Sequence, residues 1–424
     1  MPSAWYIACA SIAVLAILQS AALLLQTWEH RRYVRSCLRS QGRYRPEGRA
    51  AVVAPCKGVD VGLADNLRAL LEQDYDDYEI TFVVESDDDP ACEVIEQVTA
   101  AYPHIATRLV VAGRASNSGQ KVHNLRVATA DLGEDVDYVA FVDSDARPRP
   151  EWLRMLISRL SQEPLGAATG YRWFIPVRPT LAASVLSSVN CGLMMLSGRR
   201  SYYLVWGGSW ALRREVFEQI GLRDAWHGTL SDDLMAARVL RRARLKTRFE
   251  PLAVVPSPLD TSPRRMFEFL RRQYVVTRFY VPHWWLFGLA VMAVPNLAWA
   301  GLAAMLVAGL AGGPTVAVPL GLGAALWAVG AVRGAVRQSL VAAYFPQHLR
   351  ATRAARWFDI LAGPVAGLVH WLGMWAAACG RRIRWRGVCY RLFPGGRIEI
   401  EQRTADPEAA APAESSPEPC RHAA

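Results

Sequence analysis

The chain carries three short acidic clusters, each beside a stretch that reads as a strand end or a helix start. Asp143-Ser144-Asp145 follows the apolar run YVAFV, so both carboxylates emerge from a buried strand. Alternate carboxylates at a strand end reach a hard divalent ion, Mg²⁺ or Mn²⁺, which takes oxygen ligands and also coordinates a diphosphate. Such an ion offsets charge developing on a departing nucleotide diphosphate. Glu85-Ser86-Asp87-Asp88-Asp89-Pro90 closes another strand-like run. Carboxylates crowded there repel unless hydrogen bonds, a metal or a nucleotide stabilises them, although a solvated turn capping a helix reads equally well.

Ser231-Asp232-Asp233 opens a helical stretch. A serine or aspartate N-cap explains one of these acids but not both, which leaves Asp233 as a candidate general base that takes a proton from an attacking hydroxyl. Trp206-Gly207-Gly208 lies upstream. Its glycines either let the backbone approach a ligand or make a tight turn. Lys57, at a strand end, and Lys121, opening a helix, suit phosphate through charge and helix N-terminal amides, or are simply solvated. Gln273 and Arg278 sit where they reach a diphosphate and an acceptor, though Arg278 equally suits a lipid phosphate.

These residues need elements to carry them. Over residues 50–262, short β-rich runs (51–56, 78–85, 106–113, 136–143 and 246–255) alternate with helical spacing at 63–73, 92–101, 121–130 and 151–160. That alternation predicts one α/β domain with a mostly parallel, Rossmann-like sheet, whose ligands bind beyond the carboxyl ends of the strands.

The remainder is apolar. Hydrophobic residues make up 52% of the 424, and the mean hydropathy is +0.10, more than a soluble enzyme usually carries. Ala4 to Trp28 holds no charge, long enough to cross a bilayer core of about 30 Å. No positive residue precedes it, so a membrane anchor over 1–29 fits better than a cleaved leader. His30, Arg31, Arg32, Arg35, Arg39, Arg43, Arg45 and Arg49 follow in a basic linker, 30–49, and such flanks mark the cytoplasmic side. Residues 263–283 mix aromatic and basic residues at helical spacing, which predicts a helix lying in the head-group layer. A two-span hairpin is expected over 284–332, around Gly312-Gly313-Pro314, then a basic segment over 333–356. The apolar stretch 357–379 has basic flanks on both sides and suits a re-entrant or interfacial helix better than a further crossing. A membrane-proximal segment, 380–402, and a disordered tail, 403–424, complete the expectation. The eight cysteines show no metal or disulfide spacing, as in a reducing compartment. The net charge of +10 is concentrated beside apolar segments, which points to an anionic membrane surface rather than nucleic acid.

Taken together, PCKGVD (55–60), NLRALLEQDYDDYEI (66–80), DDDPACEVI (87–95), KVHNL (121–125), FVDSDARPRP (141–150), WGGSWALRREVF (206–217), LSDDL (230–234) and IRWRGVCYRL (383–392) resemble family 2-like GT-A glycosyltransferases, closest to the ceramide glucosyltransferase group and its bacterial lipid-glycosylating relatives. The resemblance covers nearly the whole chain apart from the tail. It implies a GT-A domain facing the cytoplasm of a bacterial inner membrane, with transmembrane helices at both ends. It also implies an inverting transfer of a hexose, with UDP-glucose the favoured donor, to a lipid such as ceramide, diacylglycerol or a hopanoid. On that pattern Asp89 contacts the nucleotide, Asp143 and Asp145 serve metal and diphosphate, and Asp233 is the base. From their own positions, Lys57 and Lys121 are expected at the donor, and Trp206, Gly207, Gly208 and Asp232, like Gln273 and Arg278, at the diphosphate or acceptor.

Two departures stand out. The family's Q/R-x-x-R-W motif is represented only by Gln273 and the later Arg278, without the Trp, and Asp145 completes a DxD that ceramide glucosyltransferases can lack. A processive polysaccharide synthase and a catalytically silent membrane scaffold are the alternative readings.

Overall fold

The computed structural model describes residues 3–39, 44–199 and 204–404. In chain order its helices and strands are α1 (Ala4–Arg39), β1 (Arg49–Pro55), α2 (Leu63–Leu71), β2 (Tyr78–Val84), α3 (Ala91–Thr99), β3 (Ala106–Val111), α4 (Gln120–Ala128), β4 (Val136–Val142), α5 (Trp152–Gln162), β5 (Ala167–Pro176), α6 (Leu181–Met194), β6 (Ser209–Arg213), α7 (Arg214–Gln219), α8 (Leu222–Ala225), α9 (Asp232–Arg242) and β7 (Thr247–Leu259). Then come α10 (Pro263–Tyr280), α11 (Pro282–Leu310), α12 (Ala317–Tyr344), α13 (Arg353–Leu361), α14 (Gly363–Ala376), β8 (Arg382–Trp385), β9 (Val388–Leu392) and β10 (Ile398–Arg403).

Seven strands form one sheet in the order β3-β2-β1-β4-β6-β5-β7. β1, β2, β3 and β4 run parallel, β5 pairs parallel with β7, and only β6 runs against its neighbours. The expected mostly parallel α/β sheet is therefore present. The interiors of its central strands, residues 50–54 and 138–142, are apolar and buried because both faces are covered. Val52 and Ala54 of β1 pack with α2, α3 and α5, whereas Ala51 and Val53 face α4, α8 and α9. The strand order reverses between β1 and β4, and a crevice opens at such a switch point.

β5 and β6 carry no strand signal strong enough to read in advance. β5 contains Gly170, the site of a register shift against β7, where an added Cβ would lie 1.9 Å from the Ala253 carbonyl oxygen; β6 is five residues long.

α1, α11 and α12 are long and apolar enough to cross a membrane, and they pack together through Ala13, Ala16, Ala298, Leu302 and Leu326. α1 continues to Arg39 and α12 to Tyr344, well past the first charged residues, Glu29 and Arg333. The 357–379 stretch lies in α13 and α14, broken at Ala362. Fourteen residues of α14 span only about 21 Å at helical rise, short of a bilayer core.

Residues 382–403 form a three-stranded antiparallel sheet, β10-β9-β8, where the sequence suggested only a membrane-proximal segment. The tail expected over 403–424 lies outside the described residues from 405 onward, and Arg403 itself ends β10.

Candidate active site

The acids converge at the switch point. β4 delivers Asp143 and Asp145, the Trp206-Gly207-Gly208 turn precedes antiparallel β6 at the same edge, and α9 begins there with Asp232 and Asp233. Lys121, one residue into α4, ties these elements together. Its ammonium lies 2.7 Å from Asp143 Oδ1 and 3.1 Å from Asp232 Oδ2. Burial opposes the charge on Lys121, yet Asp143 and Asp232 outweigh it and raise its pKa well above the ordinary lysine value. Burial pushes the Asp232 carboxyl up to about 7, against the pull of Lys121 and with the push of Asp233 and Asp143. Asp143 stays below its usual range because Lys121 and Arg172 outweigh its burial. Asp145 is raised, since burial prevails over Arg172.

Arg172 of β5 escaped the sequence reading. It contacts Asp145 Oδ2 at 2.7 Å and lies over the Trp206 and Phe174 rings, 5.2 and 5.0 Å from their centroids. The other oxygen, Asp145 Oδ1, is buried without a hydrogen-bond partner. The available signal was a lone arginine in the apolar run GYRWFIP, which a buried strand rarely carries unpaired.

Asp233 is partly buried. Its Oδ2 accepts from the Gly207 amide at 3.2 Å, and its Oδ1 accepts from the Ser231 hydroxyl at 2.5 Å and the Leu234 amide at 2.7 Å. Ser231 also caps α9, accepting from Leu234 N. The glycines are explained by close approach: an added Cβ at Gly207 would lie 2.6 Å from Asp232 Oδ2, and one at Gly208 would lie 2.3 Å from the Trp206 ring and 2.7 Å from Asp143 Oδ2.

Asp89 faces the loop after β1. Its Oδ1 accepts from the Gly58 amide at 2.8 Å and the Ala91 amide at 2.9 Å, so it also caps α3. Asp87 and Asp88 are exposed. Lys57 pairs with Glu85 at 2.6 Å. Gln273 is exposed on α10, and Arg278 donates to the Ala378 and Gly380 carbonyls; neither bonds to the acid cluster. No group of three or more His, Cys, Asp or Glu side chains forms a self-contained metal cage among the described residues. The Asp143–Asp145 pair instead suits an ion that shares its shell with a bound diphosphate and water.

The topology defines a mostly parallel α/β fold with the acids at its switch point. The chain belongs to Glycosyl transferase family 21, whose model matches residues 10–398. It is similar to ceramide glucosyltransferase 1 of Caenorhabditis elegans, 27% identical over 120 residues, covering 28% of this chain and 25% of that protein. It is also similar to ceramide glucosyltransferase of Komagataella phaffii, 36% identical over 59 residues, covering 14% and 12%. These alignments span at most a quarter of the relatives' length. Among solved structures, a mannosyltransferase from Pyrobaculum calidifontis in complex with GDP-Man and Mn²⁺ superimposes with a TM-score of 0.49 at 20% identity, covering 85% of this chain and 99% of that one. GalNAc-T7 with UDP, GalNAc and Mn²⁺ gives 0.38 at 11% identity, covering 55% and 50%.

Proposed function

We propose that this membrane glycosyltransferase moves a hexose, glucose first among candidates, from a UDP-sugar to the hydroxyl of a membrane lipid, with inversion at the anomeric carbon. The observation that carries this reading is the meeting of Lys121, Asp143, Asp232 and the Asp233 loop at one switch point, on a domain joined to three apolar helices. The names of the relatives, ceramide glucosyltransferases, support a lipid acceptor; diacylglycerol and hopanoids share the needed hydroxyl. The basic residues that follow the apolar part of α1 support a domain on the cytoplasmic side, at the inner membrane if the host is a bacterium.

Asp143 and Asp145 would hold Mg²⁺ or Mn²⁺, the unpartnered Asp145 Oδ1 being a hard oxygen donor that fits such an ion. When bound, the ion neutralises charge on the departing diphosphate. Lys121 fixes Asp143 and Asp232 in place, and Asp89 and Lys57 line the nucleotide side. Asp233 takes the proton of the acceptor hydroxyl as its oxygen attacks from the face opposite the leaving group, and the Gly207 and Leu234 amides hold its carboxylate in position. Loss of a positioned base typically lowers the rate about 10²–10⁴-fold.

The test is mass spectrometry of lipids from cells expressing the wild type or Asp233→Asn. A new hexosyl lipid with the wild type alone supports the transfer and identifies the acceptor. No new lipid from folded protein, with candidate lipids and UDP-sugars present, overturns it, as does equal product from the variant.

A further inference from the structure

The three-stranded sheet at the far end of the chain reaches into the loops that hold the acids. β8 and β9 are joined by the two-residue turn Arg386-Gly387, with Trp385 paired to Val388. Both turn residues have positive φ, 44° and 75°, a conformation that favours Asn, Asp or Gly at the first position. Such a backbone is disfavoured for an arginine, whose Cβ crowds the following carbonyl oxygen. Its guanidinium donates to the Lys57 carbonyl and to Asp60 Oδ1, the latter at 2.7 Å. The other oxygen, Asp60 Oδ2, accepts from the Ser144 hydroxyl at 2.8 Å. Ser144 is the middle residue of Asp143-Ser144-Asp145, and its carbonyl accepts from Asn66 at 2.9 Å. The chain of contacts therefore runs from a hairpin tip at 386 to the acid loop at 143–145.

A second arm runs beside it. Arg403, at the end of β10, pairs with Glu85 Oε1 at 2.9 Å, and Glu85 Oε2 pairs with Lys57. The same guanidinium donates to the Ala115 carbonyl at 2.7 Å. Tyr390 of β9, 1% exposed, accepts from the Gln120 amide at 3.2 Å, at the start of the helix that carries Lys121. Both arms end on loops at the carboxyl edge of the large sheet.

We infer that the C-terminal sheet completes the donor site, with Arg386, Asp60 and Ser144 acting as positioning residues that clasp the Asp143–Asp145 loop to the loop after β1 for a nucleoside diphosphate. This rests on the donor reading proposed above. The acids and Lys57 belong to separate loops, and without a tie each loop would have to be ordered by the ligand, at the expense of affinity.

The experiment is calorimetric titration of the full-length protein in detergent with UDP and Mn²⁺, alongside thermal unfolding without ligand. The variants are Arg386→Ala, Arg386→Lys, Asp60→Asn and the double variant Arg386→Ala/Asp60→Asn. The clasp predicts UDP affinity about tenfold weaker or more in Arg386→Ala and Asp60→Asn, equivalent to ~1.4 kcal/mol. It further predicts partial retention in Arg386→Lys, a double variant no worse than the weaker single, and unliganded melting temperatures within a few degrees of wild type. Wild-type affinity in the single variants overturns the clasp while leaving the donor reading intact. Losses that merely track a fall in melting temperature overturn it too, since they mark a structural buttress. A wild type that does not bind UDP overturns the donor reading, and the clasp with it.

Discussion

Replacing Lys121 with Met removes the one ammonium that lies between Asp143 and Asp232, and the structure sets the size and pH dependence of the result. Asp232 is 5% exposed, and the two ion-pair distances are 2.7 and 3.1 Å. At an effective dielectric near 20, charges about 3 Å apart attract by roughly 5 kcal/mol before desolvation is counted. Removing one partner of a buried pair has a net cost of about 3–5 kcal/mol, because the remaining charge is left uncompensated. At ~2–4 °C per kcal/mol for a domain of this size, the melting temperature should fall by roughly 10 °C.

The fall should depend on pH. The Asp232 carboxyl titrates near 7 in the folded protein and near 3.8 in the unfolded chain. Its contribution to stability is therefore fully present below the unfolded value and is lost as pH rises through about 7. Without Lys121 that carboxyl is raised further, so at pH 6 it holds a proton and little is lost by its missing partner. At pH 8.5 the wild type has two ionised carboxylates on Lys121, and the variant must either strand both or bind a proton against the gradient. Thermal unfolding of both proteins in detergent with EDTA, at pH 6 and 8.5, is the assay. The deficit should be clearly larger at pH 8.5. A deficit equal at both pH values, or under about 2 °C at pH 8.5, would refute the assignment of Lys121 as the counter-charge of a buried acid pair.

Asp143→Ala should weaken Mn²⁺-dependent UDP binding by about 10²-fold or more, since a metal contributes several kcal/mol at a diphosphate, while the protein still inserts in membranes; unchanged metal dependence in a titration would remove the metal assignment. Away from the site, Asp359 joins α6, α12 and α13, accepting from Arg337 Nε at 2.9 Å, Gln338 at 2.6 Å and Ser188 at 2.5 Å. Asp359→Ala leaves Arg337 buried and unpaired and should lower stability by about 3–5 kcal/mol, whereas Arg337→Met/Asp359→Leu should recover most of that loss. A single variant that melts with the wild type would mean that the network contributes nothing.

The sequence by itself determined where strands, helices and acids lie along the chain. Continuous apolar runs such as VVA and YVAFV are legible because both faces of a central strand are covered, and an acid directly after such a run must emerge at the sheet's edge. Uncharged stretches long enough for a bilayer are equally plain. Tertiary structure alone decided which charges meet. Arg172 of β5 finds Asp145 across the intervening β6, Arg386 finds Asp60 from 326 positions away, and neither pairing leaves a periodic trace. Whether Gly207 and Gly208 served a turn or a close approach was likewise undecided until Asp232 and Asp143 were in place against them. Arg278, open to phosphate on its spacing, instead caps carbonyls after α14. Periodicity records which face of an element is buried, a local property of the chain. Ion pairing and steric clearance depend on how distant elements dock, and are fixed only when the whole sheet, its helices and the C-terminal hairpin pack together.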